Sequence, residues 1–363
     1  MSQILTFLGQ SRRACAIASV AIARDLAQQG SKVLWITQDS GPLPSLLWGV
    51  SLAAEVQSVT ANLWTLQLQA STLLEQSWDI VKKMEAQYLR DPLLKQVFGE
   101  ELVILPGMED ALTLNALREL YESGTYDYLI FDGQSGPATL RMWGLPENLD
   151  WYIRRFQKVV QASALGRALA PFIQPVAGAI LNISGSEDAF NQPVNEARSV
   201  LARGRSAVQS PHQVLGLLVT TCELADIAMV RHLWGCSQQI GLTVGGLVAF
   251  AQAADLADTF APLSVHAMPD LVGDNWDSLV AATPAIATVR QNAPAPVVID
   301  EAAKQVRLFL PGFTKADITL TQYGPEVTVT AGDHRRNLLL PTALSNRSVQ
   351  GAKFQEDALI LSF

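Results

Sequence analysis

The segment spanning residues 4–36 constrains the fold more than any other part of the sequence. A buried-strand pattern over residues 4–8 leads into Gly9, and an Ala-, Ile- and Val-rich stretch over residues 13–29 has the period of a helix. A second apolar run follows at residues 32–37. This order predicts a βαβ unit whose first loop lies at a helix N-terminus, a place where phosphate groups commonly bind.

Further apolar runs indicate the rest of the fold. They are continuous rather than alternating, which is typical of parallel strands that are covered on both faces. We predict additional strands at residues 102–106, 126–132, 214–221 and 243–250, with helical patterns between them. The sequence therefore predicts an α/β fold with a doubly wound, mainly parallel sheet.

Composition shifts divide the chain into regions. We predict a first domain over residues 1–283, with helical insertions at about 44–98 and 147–210 and a mobile loop at 182–193. Residues 284–297 are rich in Ala and Pro, as in a linker. Residues 298–363 contain short alternating runs broken by Pro, Gly and Asp, which predict a small antiparallel all-β sandwich.

Charge and composition narrow the classes of partner. The net charge of −8 argues against a nucleic-acid partner and allows at most peripheral association with membranes. Three cysteines and four histidines are widely scattered, so we expect no metal site and small core roles for the cysteines. The first ten residues carry no secretory pattern, and we expect a cytoplasmic protein.

The loop after the first strand lacks the residues that hold phosphate. A working phosphate loop uses glycines that turn backbone N–H groups inward, a lysine for the phosphates and a Ser/Thr hydroxyl for Mg²⁺. Here the loop contains no lysine; it reads Gly9, Gln10, Ser11, Arg12, Arg13, Ala14, Cys15, Ala16. We therefore predict a degenerate phosphate loop, with no catalytic residues and no bound cofactor.

This loop and the Ala-rich helix after it resemble the arsenite-pump and guided-entry (tail-anchored protein targeting) ATPases, whose loop reads GKGGVGKTT. Laid against that motif without gaps, the signature lysine falls on Gln10, the phosphate lysine on Cys15 and the magnesium threonine on Ala16. The resemblance implies a P-loop NTPase-like fold of the SIMIBI type and a dimer. In intact members of the family it also implies ATP and Mg²⁺.

Other segments support the resemblance in the same order along the chain. FDGQSGPATLRMWGLP, which contains Asp132, is similar to the family's switch II, and LPGMEDA is similar to its PG-[DE]E-A segment. DSGPLPSL begins with Asp39 like the family's switch I, but the catalytic aspartate falls on Leu46. The family's adenine-contacting asparagine falls on Ala249. Two further functional positions are thus replaced.

The C-terminal region resembles an HSP20 (α-crystallin-type) domain through its LPGFTKADITL and GAKFQEDALILSF segments. Some bacterial members of the ATPase family carry such a domain. The C-terminal I-x-I/V anchor of small heat-shock proteins is absent, so the resemblance does not extend to their mode of assembly.

Three hypotheses follow for the function. The first is a non-hydrolysing family member, not an enzyme, that acts as a protein-binding or chaperone-like scaffold. The second is an ATP-binding, anion-transporting or protein-targeting ATPase with an atypical phosphate loop. The third is a regulatory partner that forms a heterodimer with an intact paralogue, instead of a homodimer.

Several residues keep two interpretations at this point. Arg12 and Arg13 either bind an anion at the helix N-terminus or are solvated or paired with acidic residues across a dimer interface. Asp39 and Asp132 are interpreted as relics that brace the loops. The Trp- and Leu-rich segment 44–98 forms either a helical core or a groove for a hydrophobic protein client.

Overall fold

An eight-stranded sheet forms the centre of the first domain in the computed structural model, which describes residues 2–88, 102–162, 191–250 and 256–363. The strand order is β3-β4-β2-β5-β1-β6-β7-β8, and every neighbouring pair is parallel except β3 with β4. The strands are β1 Gln3–Leu8, β2 Val33–Thr37, β3 Gln57–Thr60, β4 Leu63–Gln67, β5 Tyr128–Asp132, β6 Val214–Thr220, β7 Val244–Phe250 and β8 Ser264–Met268. The predicted doubly wound α/β fold is confirmed.

Helices cover both faces of this sheet. They are α1 Arg12–Gln28, α2 Pro42–Trp48, α3 Ala70–Tyr88, α4 Met108–Glu122, α5 Gly136–Ala162, α6 Asn191–Val208, α7 Leu224–Gln239, α8 Asp277–Ala281 and α9 Ile286–Gln291. On one face the small side chains of α1 bring the helix close to the sheet, and α8 and α9 pack beside it. On the other face α4, α5 and α7 contribute to a second hydrophobic cluster. Burial on both faces explains the continuous apolar strands.

Seven short strands form the C-terminal sandwich. They are β9 Val297–Asp300, β10 Gln305–Phe309, β11 Ile318–Tyr323, β12 Glu326–Ala331, β13 His334–Leu339, β14 Gly351–Gln355 and β15 Ala358–Ser362. One sheet has the order β14-β15-β10-β9 and the other β11-β12-β13, and all pairs are antiparallel. The predicted all-β C-terminal region is confirmed.

The sandwich packs directly against α7. Trp234 is fully buried and its ring lies 5.3 Å from Phe309 of the sandwich and 6.1 Å from Phe260 of the first domain. Gly235 allows this approach, because a Cβ atom there would overlap the carbonyl oxygen of Pro311. One hydrophobic cluster therefore continues from the central sheet through α7 into the sandwich.

Three sequence predictions differ from the structure. Residues 102–106 form no strand, because an apolar run alone does not require burial: Val103 is 79% exposed. The region 44–98 is not wholly helical, since β3 and β4 extend the sheet. The segment 284–297 contains α9, which buries Ile286 and Val289 against the first domain, and the start of β9.

The second predicted insertion, 147–210, is helical where the structure describes it, in α5 and α6. Residues 182–190 of the predicted mobile loop lie outside the described residues, and residues 191–193 begin α6.

Candidate functional site

The predicted loop residues lie at the carboxyl edge of the central sheet, where ligands bind in open α/β folds. Gly9 follows β1, and the loop runs at once into α1. Asp39 lies two residues after β2, and Asp132 is the last residue of β5. Since β2, β5 and β1 are neighbours, the fold brings the loop and both aspartates together.

Gly9 has a packing role in this structure. A Cβ atom there would lie 2.5 Å from the carbonyl oxygen of Val219 and 2.8 Å from Cys15 Sγ. The residue is buried, and the loop leaves β1 pressed against the backbone of β6. Glycine is required here by the close approach of two chain segments, whether or not a ligand binds.

The two positions that the resemblance assigns to the phosphate lysine and the magnesium threonine point into the core. Cys15 is 3% exposed and Ala16 is fully buried. Burial raises the pKa of the Cys15 thiol to about 12, and the nearby carboxylate of Asp132 adds to this shift. The thiol is therefore neutral at physiological pH, and neither position offers a cation or a hydroxyl to a ligand.

The remaining loop residues sit around the start of α1. Ser11 caps the helix, and its hydroxyl accepts a hydrogen bond from the backbone N–H of Ala14 at 3.3 Å. Gln10 and Arg13 are exposed. Arg12 and Arg13 are adjacent on a helix and so point about 100° apart, which separates two side chains that are equivalent in the sequence.

Arg12 forms a two-pronged ion pair with Asp132. The two terminal guanidinium nitrogens donate to the two carboxylate oxygens, each at 3.0 Å. One of these nitrogens also lies 3.5 Å from Asp39 Oδ2. Thr37 donates a further hydrogen bond from its hydroxyl to Asp132 at 3.3 Å. A fork of this kind is the strongest form of Arg–carboxylate contact.

Burial sets the electrostatics of this pair. Asp132 is fully buried, while the Arg12 side chain is 29% exposed. Burial lowers the pKa of Arg12, but the attraction of Asp132 and Asp39 outweighs it, so the net shift is upward. Burial raises the pKa of Asp132, and the charge and hydrogen bonds of Arg12 oppose that rise. Both Asp132 oxygens accept N–H donors, so we take the pair as ionised.

Asp39 braces the loop after β2. Its Oδ1 accepts a hydrogen bond from the backbone N–H of Gly41 at 2.8 Å, and its carbonyl oxygen accepts one from Gln67 at 2.9 Å. Its own N–H donates to the Thr37 hydroxyl at 3.0 Å. Gln38, beside it, donates to Thr113 of α4 at 2.8 Å. The loop is thereby tied to β4 and to α4 without any ligand.

A third aspartate at this edge was missed by the sequence reasoning. Asp226, in the first turn of α7, is 5% exposed and accepts hydrogen bonds from the Thr220 hydroxyl at 3.2 Å and the Thr221 hydroxyl at 2.8 Å. Its other oxygen is buried without a hydrogen-bond partner. Nothing in the motif TTCELAD distinguishes it from an ordinary helix start, and only the fold places it near Cys15.

The two replaced positions outside the loop also lack ligand chemistry. Leu46, at the place of the catalytic aspartate, lies on α2 with 73% of its surface exposed. Ala249, at the place of the adenine-contacting asparagine, is fully buried within β7. Among the described residues, no three His, Cys, Asp or Glu side chains cluster closely enough to hold a metal ion.

The residues at this edge do not fit Mg²⁺ and ATP as the resemblance would place them. Mg²⁺ requires oxygen ligands at about 2.0–2.1 Å in a near-octahedral arrangement. The Asp132 oxygens are already held by Arg12, and the helix offers Ala16 where a hydroxyl is needed.

Comparisons with known proteins agree with the motifs. The model of the family "Anion-transporting ATPase" matches residues 9–243, and that of the "HSP20-like domain found in ArsA" matches residues 301–363. A "Putative arsenical pump-driving ATPase" of Chlorobaculum tepidum is 23% identical, with 99% of this chain and 96% of the relative covered. An uncharacterized protein of Streptomyces coelicolor is 25% identical over the same shares of the two chains.

A further relative, "Putative arsenical pump-driving ATPase 1" of Aquifex aeolicus, is 19% identical, with 99% of each chain covered. Across the described part of the chain, none of the helices combines the length and the apolar character that crossing a membrane requires.

Proposed function

The chain belongs to the anion-transporting ATPase family, and from this premise we propose that it is a non-hydrolysing member whose role is to bind other proteins. The observation that carries the proposal is the ion pair of Arg12 with Asp132 and Asp39. A side-chain cation, covalently attached to the chain at the start of α1, already pairs with the buried Asp132 carboxylate and lies beside Asp39.

The electrostatics of this pair oppose a divalent cation. Mg²⁺ would have to displace Arg12 from the buried Asp132 carboxylate, or approach a guanidinium group of the same sign of charge. Displacing Arg12 would separate a buried pair, which typically costs about 3–5 kcal/mol. The Arg12 guanidinium group therefore already binds the carboxylate that a metal ion would need as a ligand.

The loss of phosphate contacts points the same way. Gln10 and Cys15 replace two lysines, and Ala16 replaces a hydroxyl. Each charge-assisted contact contributes about 1.5–3 kcal/mol, so the three replacements remove roughly 5–8 kcal/mol, although such contributions do not add strictly. Because about 1.4 kcal/mol changes affinity tenfold, a micromolar nucleotide site would become weaker than millimolar.

Titration calorimetry with Mg-ATP tests this proposal. We expect no release of inorganic phosphate and, up to about 1 mM ATP, no saturable heat that is lost when the start of α1 is altered, in line with the loss estimated above. The same titration is carried out on Arg12→Ala, which removes the cation of the ion pair. Arg13→Ala is its matched control, since Arg13 is the exposed arginine of the same turn. Saturable binding accompanied by release of inorganic phosphate would overturn the proposal in favour of an ATPase with an atypical loop. Binding that is lost in Arg13→Ala alone would assign the anion contact to that side chain.

The protein-binding role is supported by an apolar rim around the same edge. Exposed apolar side chains lie on α2, before α4 and at the start of α7, all at the carboxyl edge of the strands. They are between 45% and 87% exposed: Leu46, Val50, Val103, Leu105 and Leu224. Apolar side chains grouped in this way are typical of a protein–protein contact. We propose that a second copy of this chain covers the rim.

Light scattering coupled to gel filtration measures this directly. We expect a dimer that dissociates on Leu46→Asp or Leu224→Asp, because a buried charge without a partner opposes association. Val298→Asp is the matched control, since Val298 is 51% exposed but lies on β9 of the sandwich. A monomer at every concentration would exclude the homodimer. Co-purification with an intact family member would then favour a regulatory partner.

A further inference from the structure

A cleft lined by arginines lies between α5, α6 and the sandwich. It has a volume of about 340 Å³ and lies on the described side chains of Asp150 and Arg154 from α5, of Arg198, Ser199, Ala202 and Arg205 from α6, and of Leu339 from β13. Beside the cleft, α5 contacts the sandwich: the Arg155 guanidinium lies 4.8 Å from the ring of Tyr323 in β11. This volume is in the range of small-molecule sites.

One carboxylate in the cleft is shared by two of the arginines. Asp150 is 7% exposed; it accepts a hydrogen bond from Arg154 Nε at 3.0 Å and another from an Arg205 terminal nitrogen at 3.4 Å. The longer contact is a weak one. Arg154 and Arg205 are 31% and 38% exposed, so both keep N–H donors at the surface of the cleft.

The third arginine has unused hydrogen-bonding capacity. Among the described residues, Arg198 Nε is buried without a hydrogen-bond partner, and the hydrogen bonds that Asp150 accepts come from the other two arginines. A buried N–H without a partner is unfavourable, so a rotation of the Arg198 side chain that turned its Nε toward the cleft would let a ligand oxygen accept that hydrogen bond.

The charged side chains in and around the cleft leave it with a net positive charge. Burial raises the pKa of Glu147, one turn before Asp150, and the charges of Arg336, Arg205 and Arg154 oppose that rise. Arg336 is 6% exposed and donates to the carbonyl oxygen of Gln238 at 2.8 Å. The described lining of the cleft contains three arginines and one aspartate, an excess of about two positive charges.

We propose that this cleft binds the phosphate group of a small phosphorylated molecule. Guanidinium groups match the geometry of phosphate oxygens, and three of them converge from two helices here. The small volume of about 340 Å³ favours a small molecule over a protein surface, and the cleft is open to solvent, so such a molecule can enter it. The cleft is separate from the loop at α1, so this site does not depend on whether the protein binds ATP at that edge.

Titration of the full chain with inorganic pyrophosphate, and with inorganic phosphate, tests the site. We expect one saturable binding event, with pyrophosphate bound more tightly because it carries more charge. Arg198→Gln should weaken binding at least about tenfold. Arg203→Gln is the matched control, because Arg203 lies on the same helix but points about 140° away and lines a different, apolar pocket.

A gain-of-affinity variant makes the test independent of folding defects. Asp150→Asn removes the carboxylate that competes for Arg154 and Arg205, so pyrophosphate should bind several-fold more tightly. Arg13→Ala should leave the binding unchanged, which separates this cleft from the start of α1. Urea unfolding of each variant checks that it is folded.

Four results would overturn the inference. The first is an absence of saturable heat up to about 10 mM pyrophosphate, which corresponds to less than about 3 kcal/mol of binding free energy. The second is equal weakening by Arg198→Gln and Arg203→Gln, which would indicate a general charge effect, and the third is weaker binding in Asp150→Asn. The fourth is binding of polyglutamate without binding of pyrophosphate, which would assign the cleft to an acidic protein.

Discussion

Removing Arg12 should destabilise the fold far more than removing its neighbour Arg13. In Arg12→Ala the Asp132 carboxylate stays fully buried and keeps only the hydrogen bond from Thr37. Breaking a buried ion pair from one side typically costs about 3–5 kcal/mol, a large share of the 5–15 kcal/mol by which a domain is usually stable. Arg13 is exposed, so Arg13→Ala should change the free energy of unfolding by about 0.5 kcal/mol or less.

A double-mutant cycle isolates the pair itself. Asp132→Asn alone leaves Arg12, which is 29% exposed and can turn to Asp39 or to water, so this variant should lose less than Arg12→Ala. In the double variant neither charge of this pair remains, and we expect a coupling free energy of about 2–3 kcal/mol between the two sites. Urea unfolding of the four proteins at pH 7 measures it.

The pH dependence of Arg12→Ala provides a second readout. Without the guanidinium group, burial and the nearby Asp39 charge raise the pKa of Asp132 in the folded protein above that in the unfolded chain, and only the Thr37 hydrogen bond opposes the rise. The folded state then binds the proton more tightly, so stability is gained as the pH falls and lost as it rises through the folded pKa. The deficit of Arg12→Ala relative to the unaltered protein should shrink from pH 7 to pH 5. A deficit equal to that of Arg13→Ala, or a coupling near zero, would refute the reasoning.

Three more predictions concern packing, thiols and a histidine. Gly235→Ala should lower the free energy of unfolding, measured with urea, by about 1–3 kcal/mol because its Cβ meets the backbone of the sandwich. Gly204→Ala should be near neutral in the same assay, because its Cβ would lie 3.3 Å from side-chain carbons only. At pH 8 a thiol reagent should modify only the partly exposed Cys222 in the folded protein, because Cys15 and Cys236 are buried and have pKa values of about 12. In denaturant it should modify all three cysteines. Modification of two or three cysteines in the folded protein would contradict this prediction. Burial lowers the pKa of His266, so the unfolded chain takes up a proton before the folded protein does and stability falls as the pH drops below about 6.5; His266→Gln should flatten this decline, and an unchanged slope would count against it.

Most of the sheet was predictable because its strands are buried on both faces. Residues 4–8, 126–132, 214–221 and 243–250 are predominantly apolar, and each contains or overlaps a strand. The apolar run 102–106 has the same composition but no partner strand, and two of its side chains are exposed. Composition alone does not distinguish a core strand from an exposed apolar segment.

The site was predictable in outline but not in its chemistry. The loop, Asp39 and Asp132 follow strands that are neighbours in a doubly wound sheet, so their meeting at one edge follows from topology. The topology does not determine which arginine turns inward, because Arg12 and Arg13 are identical in type and differ only in their direction from the helix axis. Asp226 stayed unrecognised because its role depends on hydrogen bonds to two threonines that only the fold brings into position.

The position of α7 has a consequence for synthesis on the ribosome. Trp234 and Gly235 face strands that are made only after residue 305, so the outer side of α7 emerges before anything can cover it. At the usual 5–20 residues per second, the roughly 70 residues between the end of α7 and the end of β10 take about 4–14 s to synthesise. During this interval the nascent chain exposes an apolar face that carries Trp234. Holding chaperones should therefore engage the nascent chain while this interval lasts and release it once the C-terminal strands have docked.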